Sequence, residues 1–540
     1  MKRVQIFLSE RGTGILFTLI AILAINCWQL VLRNFDNDNA FSLAAAKNMA
    51  EGHGYSIKTA SIHDLSKFYY DPLNRWPPGY SCLLVVARFF LNTDWIHASF
   101  ILNALGLTAL VLIFRFMLFQ LDYPGWITNI AVLYFGFLLH PFHYSNYSDI
   151  FGLLFYLIGL SFLLRGVKSE KNITGLSLLS ALSLGFSTYL KYLYLPLSIV
   201  PIAAFYIYGF CVKRKDFQNA AVKAFIFLAL IICCLLLFQY LNSGHSLFIN
   251  PSKTGFFPDQ LFGIAPVIPA GVINLLFINM QLSILLHVSF IKLHFFWLVF
   301  YLFCLGWLAY TGFKLFRARI LKIKDFKSFY AIQATMFTAV LFLYLLILTV
   351  TKNKHYQDTY FEWVYGQELR YYSVFIVFVL QYVVFLILRQ DQFFGKFGKL
   401  FLRLSIGFAI MIEISHGVYF CLRAISFKKE FGTKVAADQF LYRSMEFTKK
   451  GSMESGNLVV CSNNYTIANM CSLENAPVFY ELDKLNDQVK TSAPLTLLIA
   501  VDATVPGGLV PFLMHSRVKP DYVFEFVSYY IIHLPKNSNF

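Results

Sequence analysis

Charge is what this sequence of 540 residues lacks. Only 14% of its residues are Asp, Glu, Lys or Arg, against 58% hydrophobic and 18% aromatic. A chain of this length cannot cover a soluble surface with so few charges, so the class it fits is a polytopic membrane protein. There is no Walker sequence, and Gly52-His53-Gly54 follows a helical pattern rather than a strand, so neither ATP nor a dinucleotide loop is implied. Internal repeats and low-complexity tracts are missing, which excludes a solenoid or a long disordered linker. The first apolar run has no small-residue cleavage site and is too long for a signal-peptide core, so it is expected to remain as a helix. Most of the nine cysteines fall inside apolar runs, where they act as small hydrophobes. Only Cys461 and Cys471 share a polar region. They can pair if that region faces an oxidising compartment, but two unpaired thiols are the favoured reading because nothing in the sequence fixes a disulfide geometry.

What charge there is has a strong sign, with 45 Lys and Arg against 29 Asp and Glu and a formal net charge of +16. The basic residues fall in short clusters between apolar runs, which suits membrane orientation and leaves no nucleic-acid footprint. A span needs roughly 20 apolar residues. Candidates lie at about 12–32, 95–118, 124–141, 149–165, 175–190, 192–212, 220–241, 291–313, 328–350, 371–388 and 400–420, or about eleven spans. With the N-terminus inside, the clusters at Lys2–Arg11, Arg115, Arg165–Lys171, Lys213–Lys215, Arg317–Lys327 and Arg389–Lys399 all fall on the inner side. The run Tyr80–Leu91 is too short to cross and reads as an interfacial or re-entrant helix. Counting it as a span would turn the richest basic cluster outward.

On this map the polar segments of interest share the outer face. The first, Asn34–Tyr80, begins with Asp36 and Asp38 just after the first span, where hydration is partial and ionisation costly. Ala40, Phe41, Leu43, Ala44, Met49 and Ala50 then give an amphipathic pattern expected to lie in the interface, stopped by Gly52-His53-Gly54. The segment ends with Arg75-Trp76-Pro77-Pro78-Gly79-Tyr80, a rigid re-entry into apolar surroundings. After about Lys428 the composition changes. Apolar stretches such as Leu458–Val460, Leu497–Val501 and Tyr530–Ile532 alternate with polar, helix-compatible ones, which predicts a small α/β domain over 426–540 following a membrane domain over 1–425.

The opening loop resembles that of the GT-C superfamily of membrane glycosyltransferases, in the branch of protein O-mannosyltransferases and lipid A aminoarabinose transferases. The matching residues are Asp38, Phe41, the run Ala46-Lys47-Asn48-Met49-Ala50-Glu51-Gly52-His53-Gly54-Tyr55, and Arg75–Tyr80. In place of the family's adjacent acids stands Asp36-Asn37-Asp38-Asn39, and spacing to Ala46 favours Asp38 over Asp36 as the equivalent of the family's catalytic base. The resemblance extends to Asp149 at the start of the fourth span, to Gly185–Tyr192 with its Lys191, and to Glu368-Leu369-Arg370-Tyr371 before a late span. It implies an inverting transfer of a sugar from a polyprenyl phosphate to a lipid, glycan or protein acceptor, catalysed by an enzyme of the outer face of a bacterial inner membrane. The leaving phosphate needs cations rather than a second carboxylic acid. The resemblance assigns Lys191, Arg370 and Arg75 to that phosphate, and His53, Trp76, Asp149, Glu368 and Tyr371 to substrate. It demands no cofactor and leaves open a divalent metal held by Asp149.

Each residue has a plainer reading. Asp36, Asp38 and Asp149 suit helix caps, His140 and His143 suit an interface, and Lys191 and Arg370 suit snorkelling anchors. Those two cations stand, however, on the side that orientation statistics deplete of positive charge. The rival function is a transporter or flippase for a lipid-linked sugar. Such proteins carry charges and broken helices near the bilayer midplane, whereas here the charges gather at one rim. The topology predicts that a C-terminal reporter active only in the cytoplasm stays silent; a bright reporter would overturn the span assignment.

Overall fold

The computed structural model describes residues 11–32, 37–74, 76–137, 147–244, 326–351, 395–400, 444–451, 457–480, 491–502, 519–524 and 527–537, with a few single positions between them. In chain order the helices are α1 (Arg11–Leu32), α2 (Asn37–Ala50), α3 (Gly79–Leu91), α4 (Trp95–Gln120), α5 (Gly125–Phe137), α6 (Tyr147–Ser169) and α7 (Ile173–Leu190). They continue as α8 (Tyr194–Leu197), α9 (Ile199–Cys211), α10 (Lys215–Ser243), α11 (Phe326–Thr351) and α12 (Tyr465–Ser472). Strands are β1 (Ser56–Ala60), β2 (Phe68–Pro72), β3 (Leu458–Ser462), β4 (Val478–Phe479), β5 (Leu495–Asp502), β6 (Tyr522–Phe524) and β7 (Val527–Leu534).

Among the described residues five helical stretches are long and apolar enough to cross a bilayer: Trp95–Gln120, Ser148–Ser169, Ile173–Leu190, Tyr194–Cys211 and Lys215–Ser243. All five coincide with expected spans. Helices α1, α5 and α11 overlie the expected spans 12–32, 124–141 and 328–350, and those at 291–313, 371–388 and 400–420 lie wholly or largely outside the described residues. The helix α3 has 13 residues, too few to cross, and leaves Phe89 and Phe90 each 79% exposed while Tyr80 and Leu84 are buried.

The chain forms two compact units, each drawn from separate stretches. The first comprises 1–28, 104–237 and 248–423. Its packing relies on close approaches: a Cβ on Gly136 of α5 would lie 2.3 Å from Ala21 Cα on α1, and the Phe114 and Phe135 rings stack at 4.6 Å. Arg115 on α4 donates to the Gly14 carbonyl at 2.5 Å and to the Thr18 hydroxyl, carbonyl and hydroxyl standing in for the water that the guanidinium has lost. Among the five stretches described as long enough to cross, that in α6 is the most enclosed. It packs along α7 and, through Tyr156, receives a hydrogen bond from Gln333 Nε2 of α11 at 2.9 Å.

The second unit comprises 29–103, 238–247 and 424–540. It is built on a seven-stranded sheet of order β2-β1-β4-β3-β5-β7-β6. The tail strands foreseen from the sequence supply β3, β5 and β7. The opening loop adds two strands that its polar composition had concealed: β1 pairs with β2 antiparallel and with β4 in parallel, at Thr59 opposite Val478. β1, β4, β3 and β5 therefore form a parallel block flanked by antiparallel strands. β3 is buried at every residue, as a parallel strand covered on both faces must be. Cys461 on β3 and Cys471 on α12 are buried free thiols, and burial pushes that of Cys471 up to about 12.

Helix α2 corrects the amphipathic, interfacial reading. Every residue from 39 to 48 is buried, including Asn39, Lys47 and Asn48, so the helix is an interior element of this unit rather than a surface one. It ends at Gly52 and Gly54, whose φ values of 85° and 72° suit glycine. Lys47 explains how so polar a helix can be enclosed. Its side chain is 8% exposed, and Nζ donates to the Leu473 carbonyl at 2.8 Å, the Ser472 carbonyl at 3.4 Å and Asn475 Oδ1. These acceptors terminate α12, where carbonyls lack intrahelical donors and the dipole favours a cation. Asn475 itself takes φ 68°, a conformation asparagine tolerates beyond a helix end. Burial lowers the Lys47 pKa, and Glu51 at 3.8 Å opposes that shift. Lys47→Met should destabilise the protein by about 2–3 kcal/mol, since several buried acceptors lose a charged donor. A thermal-shift measurement in detergent checks this, and an unchanged midpoint would show that the clamp is dispensable.

Candidate functional site

The functional candidates fall in both units. In the second, Asp38 occupies the first turn of α2, half-buried, where the helix dipole favours a carboxylate. That turn is pinned to its surroundings: Ser42 Oγ donates to the Asp38 carbonyl at 2.8 Å, and Ser81 Oγ of α3 donates to the Ser42 carbonyl at 2.9 Å. One turn beyond Asp38, Phe41 meets three aromatic rings, Trp76 at 4.7 Å, Tyr465 at 6.0 Å and Tyr480 at 6.1 Å between centroids. The Tyr55 hydroxyl lies 3.1 Å from the Trp76 carbonyl and 3.2 Å from that of Pro77, which fixes the double-proline run. Tyr480 in turn donates to Asn469 Oδ1 at 2.8 Å. The structure thus brings Phe41 and Trp76 together, one turn beyond Asp38, and adds two tail tyrosines that no pattern in the sequence marks. His53 lies on the exposed side, its ring stacked on Tyr70 at 4.0 Å.

In the first unit the structure joins two residues read separately from the sequence. Asp149, in the first turn of α6, and Lys191, directly after α7, are 3% and 7% exposed, and Lys191 Nζ stands 3.2 Å from Asp149 Oδ1. Lys191 is therefore no snorkelling anchor, because an anchor keeps its ammonium in water. Two helix ends meet here: α6 begins at 147 and α7 stops at 190, its last turn closed by the Lys191 N–H on the Ser187 carbonyl at 3.1 Å. A buried ammonium and carboxylate hold each other in fixed positions, and such a pair can present a cation to an anionic group without first shedding a water shell. The Asp149 carboxylate, for which a divalent metal was left open, faces the Lys191 ammonium. Asp36, Arg75, Glu368, Arg370 and Tyr371 lie outside the described residues.

No family model matches the sequence, and no curated protein matches it either. The fold, by contrast, is similar to that of solved structures. ArnT from Cupriavidus metallidurans, solved with undecaprenyl phosphate bound, is 10% identical over 97% of this chain and 98% of its own, with a TM-score of 0.50. The Archaeoglobus fulgidus oligosaccharyltransferase tethered to an acceptor peptide is 10% identical, covering 93% of this chain and 71% of that one, with a TM-score of 0.47. The same organism's AglB, in complex with an inhibitory peptide and a dolichol phosphate, is 11% identical over the same shares, with a TM-score of 0.48.

The pair makes its own prediction. Lys191→Met leaves a buried carboxylate without its counterion and should cost about 3–5 kcal/mol, whereas Lys191→Met combined with Asp149→Leu should recover most of that loss. Melting midpoints of the single and double variants in detergent measure the coupling; additive losses would mean that the two groups do not depend on each other.

Proposed function

We propose that the protein is an inverting glycosyltransferase that takes a sugar from a polyprenyl phosphate on the outer face of a membrane, using one carboxylate base and a set of cations. The observation that carries this reading is the buried Asp149–Lys191 pair at the end of a membrane-crossing helix, a cation held in place within an apolar chain whose fold is similar to that of ArnT. The ArnT structure of that fold holds undecaprenyl phosphate, which supports a lipid phosphate as the group that Lys191 meets.

In the transfer, the acceptor hydroxyl attacks the anomeric carbon from the face opposite the phosphate. Asp38 takes the hydroxyl proton as the new carbon–oxygen bond forms. The bond from that carbon to the phosphate oxygen breaks, and its electron pair leaves on the phosphate, giving a free polyprenyl phosphate. Lys191, with Arg370 and Arg75, stabilises the charge that develops there, so no acid is needed for the leaving group. Trp76 and its proline run shape the acceptor entrance, and His53, Glu368 and Tyr371 contact substrate. An acceptor that is itself an ionised phosphate would be positioned rather than deprotonated by Asp38. A divalent metal is not required by this scheme. The membrane is a bacterial inner membrane, with the sheet domain on its outer face.

The test is the base. Asp38→Asn keeps the size of the side chain while removing its proton acceptor, so transfer to a hydroxyl acceptor should fall roughly 10²-fold or more with insertion intact. Asp36→Asn should do much less. Purified variants are compared with a labelled polyprenyl phosphate sugar. A dead Asp36→Asn would move the base two residues earlier, and full activity in both variants would refute the mechanism.

A further inference from the structure

Near the C-terminal end of α10, Phe238, Tyr240 and Leu241 are exposed, whereas Gln239 between them is 1% exposed. Among the described residues neither Oε1 nor Nε2 of Gln239 has a hydrogen-bond partner. The Ser243 hydroxyl, one turn further on, donates to the backbone carbonyl of Gln239 at 2.9 Å and not to its side chain. An enclosed polar group left unmet costs about 1–3 kcal/mol, and methionine would fill a similar space without that penalty. A state in which both halves of the amide are met accounts for glutamine at this position.

Positions 239 and 242 lie one turn apart on one face of α10. Asn242 fixes where that face is turned, because its Nδ2 donates to the Tyr55 carbonyl of the opening loop at 3.1 Å. The Tyr55 hydroxyl lies 3.1 Å from the Trp76 carbonyl, the Trp76 ring packs on Phe41 at 4.7 Å, and Phe41 is one turn beyond Asp38. Gln239 therefore belongs to the side of α10 that abuts the opening loop. Printed step by step in side-chain contacts, the route from that side to the carboxylate runs through Tyr55, Trp76 and Phe41, all within the second unit.

The need to meet both halves of an amide narrows the ligand. A phosphate oxygen would take the Nε2–H groups and leave Oε1 unmet, and a prenyl chain would meet neither. Neighbouring hydroxyls of a sugar both donate and accept, so they satisfy Oε1 and Nε2 together. Resting on the glycosyltransferase reading, we infer that Gln239 binds hydroxyls of the donor sugar and is a specificity-determining residue for it. The contact involves no proton transfer. It holds the sugar against the loop that carries Asp38 and leaves the phosphate to the cations.

The experiment measures binding to the full-length protein in nanodiscs, without acceptor, of undecaprenyl phosphate alone and of undecaprenyl phosphate carrying mannose, glucose or arabinose. Wild type should hold at least one sugar-bearing form more tightly than the bare lipid. Gln239→Met should bind that form roughly tenfold more weakly, with affinity for the bare lipid changed less than twofold. Its melting midpoint before lipid is added should stay equal or rise, because only an unpartnered amide is lost; Gln239→Leu repeats the comparison with a different shape. A sugar preference retained in both variants, as it would be if the amide met the acceptor, overturns the role of Gln239 alone. An equal loss for bare and sugar-bearing lipid, or a midpoint lowered in both variants, returns the residue to a structural part and overturns the role as well. So does a wild type that holds no sugar-bearing form more tightly than the bare lipid. If wild type binds none of the four, the glycosyltransferase reading fails with it.

Discussion

A cation taken out of water has to be met by acceptors, and among the described residues of this charge-poor chain several wholly or partly buried cations tie together segments far apart in sequence. Arg115 is met by Gly14 and Thr18, Lys191 by Asp149, and Lys47 by the residues that end α12 more than 400 positions later. The Lys47 clamp has the widest reach, because it turns a helix of the opening loop and a helix of the tail into parts of one interior. The sheet repeats that union in its backbone, at the parallel pairing of β1 with β4.

The membrane class and the positions of the five qualifying spans were legible because a run of apolar residues is a one-dimensional signal. The tail strands were legible for the same reason: Leu458–Val460 and Leu497–Val501 are buried on both faces and read as continuous apolar runs. β1 and β2 were not. Ser56–Ala60 and Phe68–Pro72 form an edge hairpin with polar and exposed positions, and what makes β1 a strand is a partner supplied near residue 478. Helix α2 was misjudged for a related reason. Its lysine and asparagines argued for a wet face, and only the acceptors at the end of α12 make their burial tolerable.

The candidate site divides in the same way. Asp38, Asp149 and Lys191 were singled out as candidates through the motif resemblance, but a motif does not say which of them touch. The sequence left Lys191 poised between anchor and functional cation, and its 3.2 Å contact with a carboxylate that is itself enclosed decides against the anchor. Tyr465 and Tyr480, which complete the ring cluster around Phe41, belong to no pattern near the loop motifs, and their relevance comes entirely from the fold of the second unit.

The pairing of Thr59 with Val478 sets a timetable for biogenesis. At the roughly 5–20 residues per second of synthesis, the strand that completes the sheet emerges about 20–80 s after the loop that awaits it. For that interval β1 has an open edge on the side β4 will occupy, and Lys47 has no helix end to cap. Sequence separation on this scale makes the second unit a slow, late-forming element, whereas the contact between α6 and α7 can form as soon as a single hairpin of helices has been made. The membrane part is thus free to assemble as it is inserted, and the sheet closes only once the end of the chain arrives.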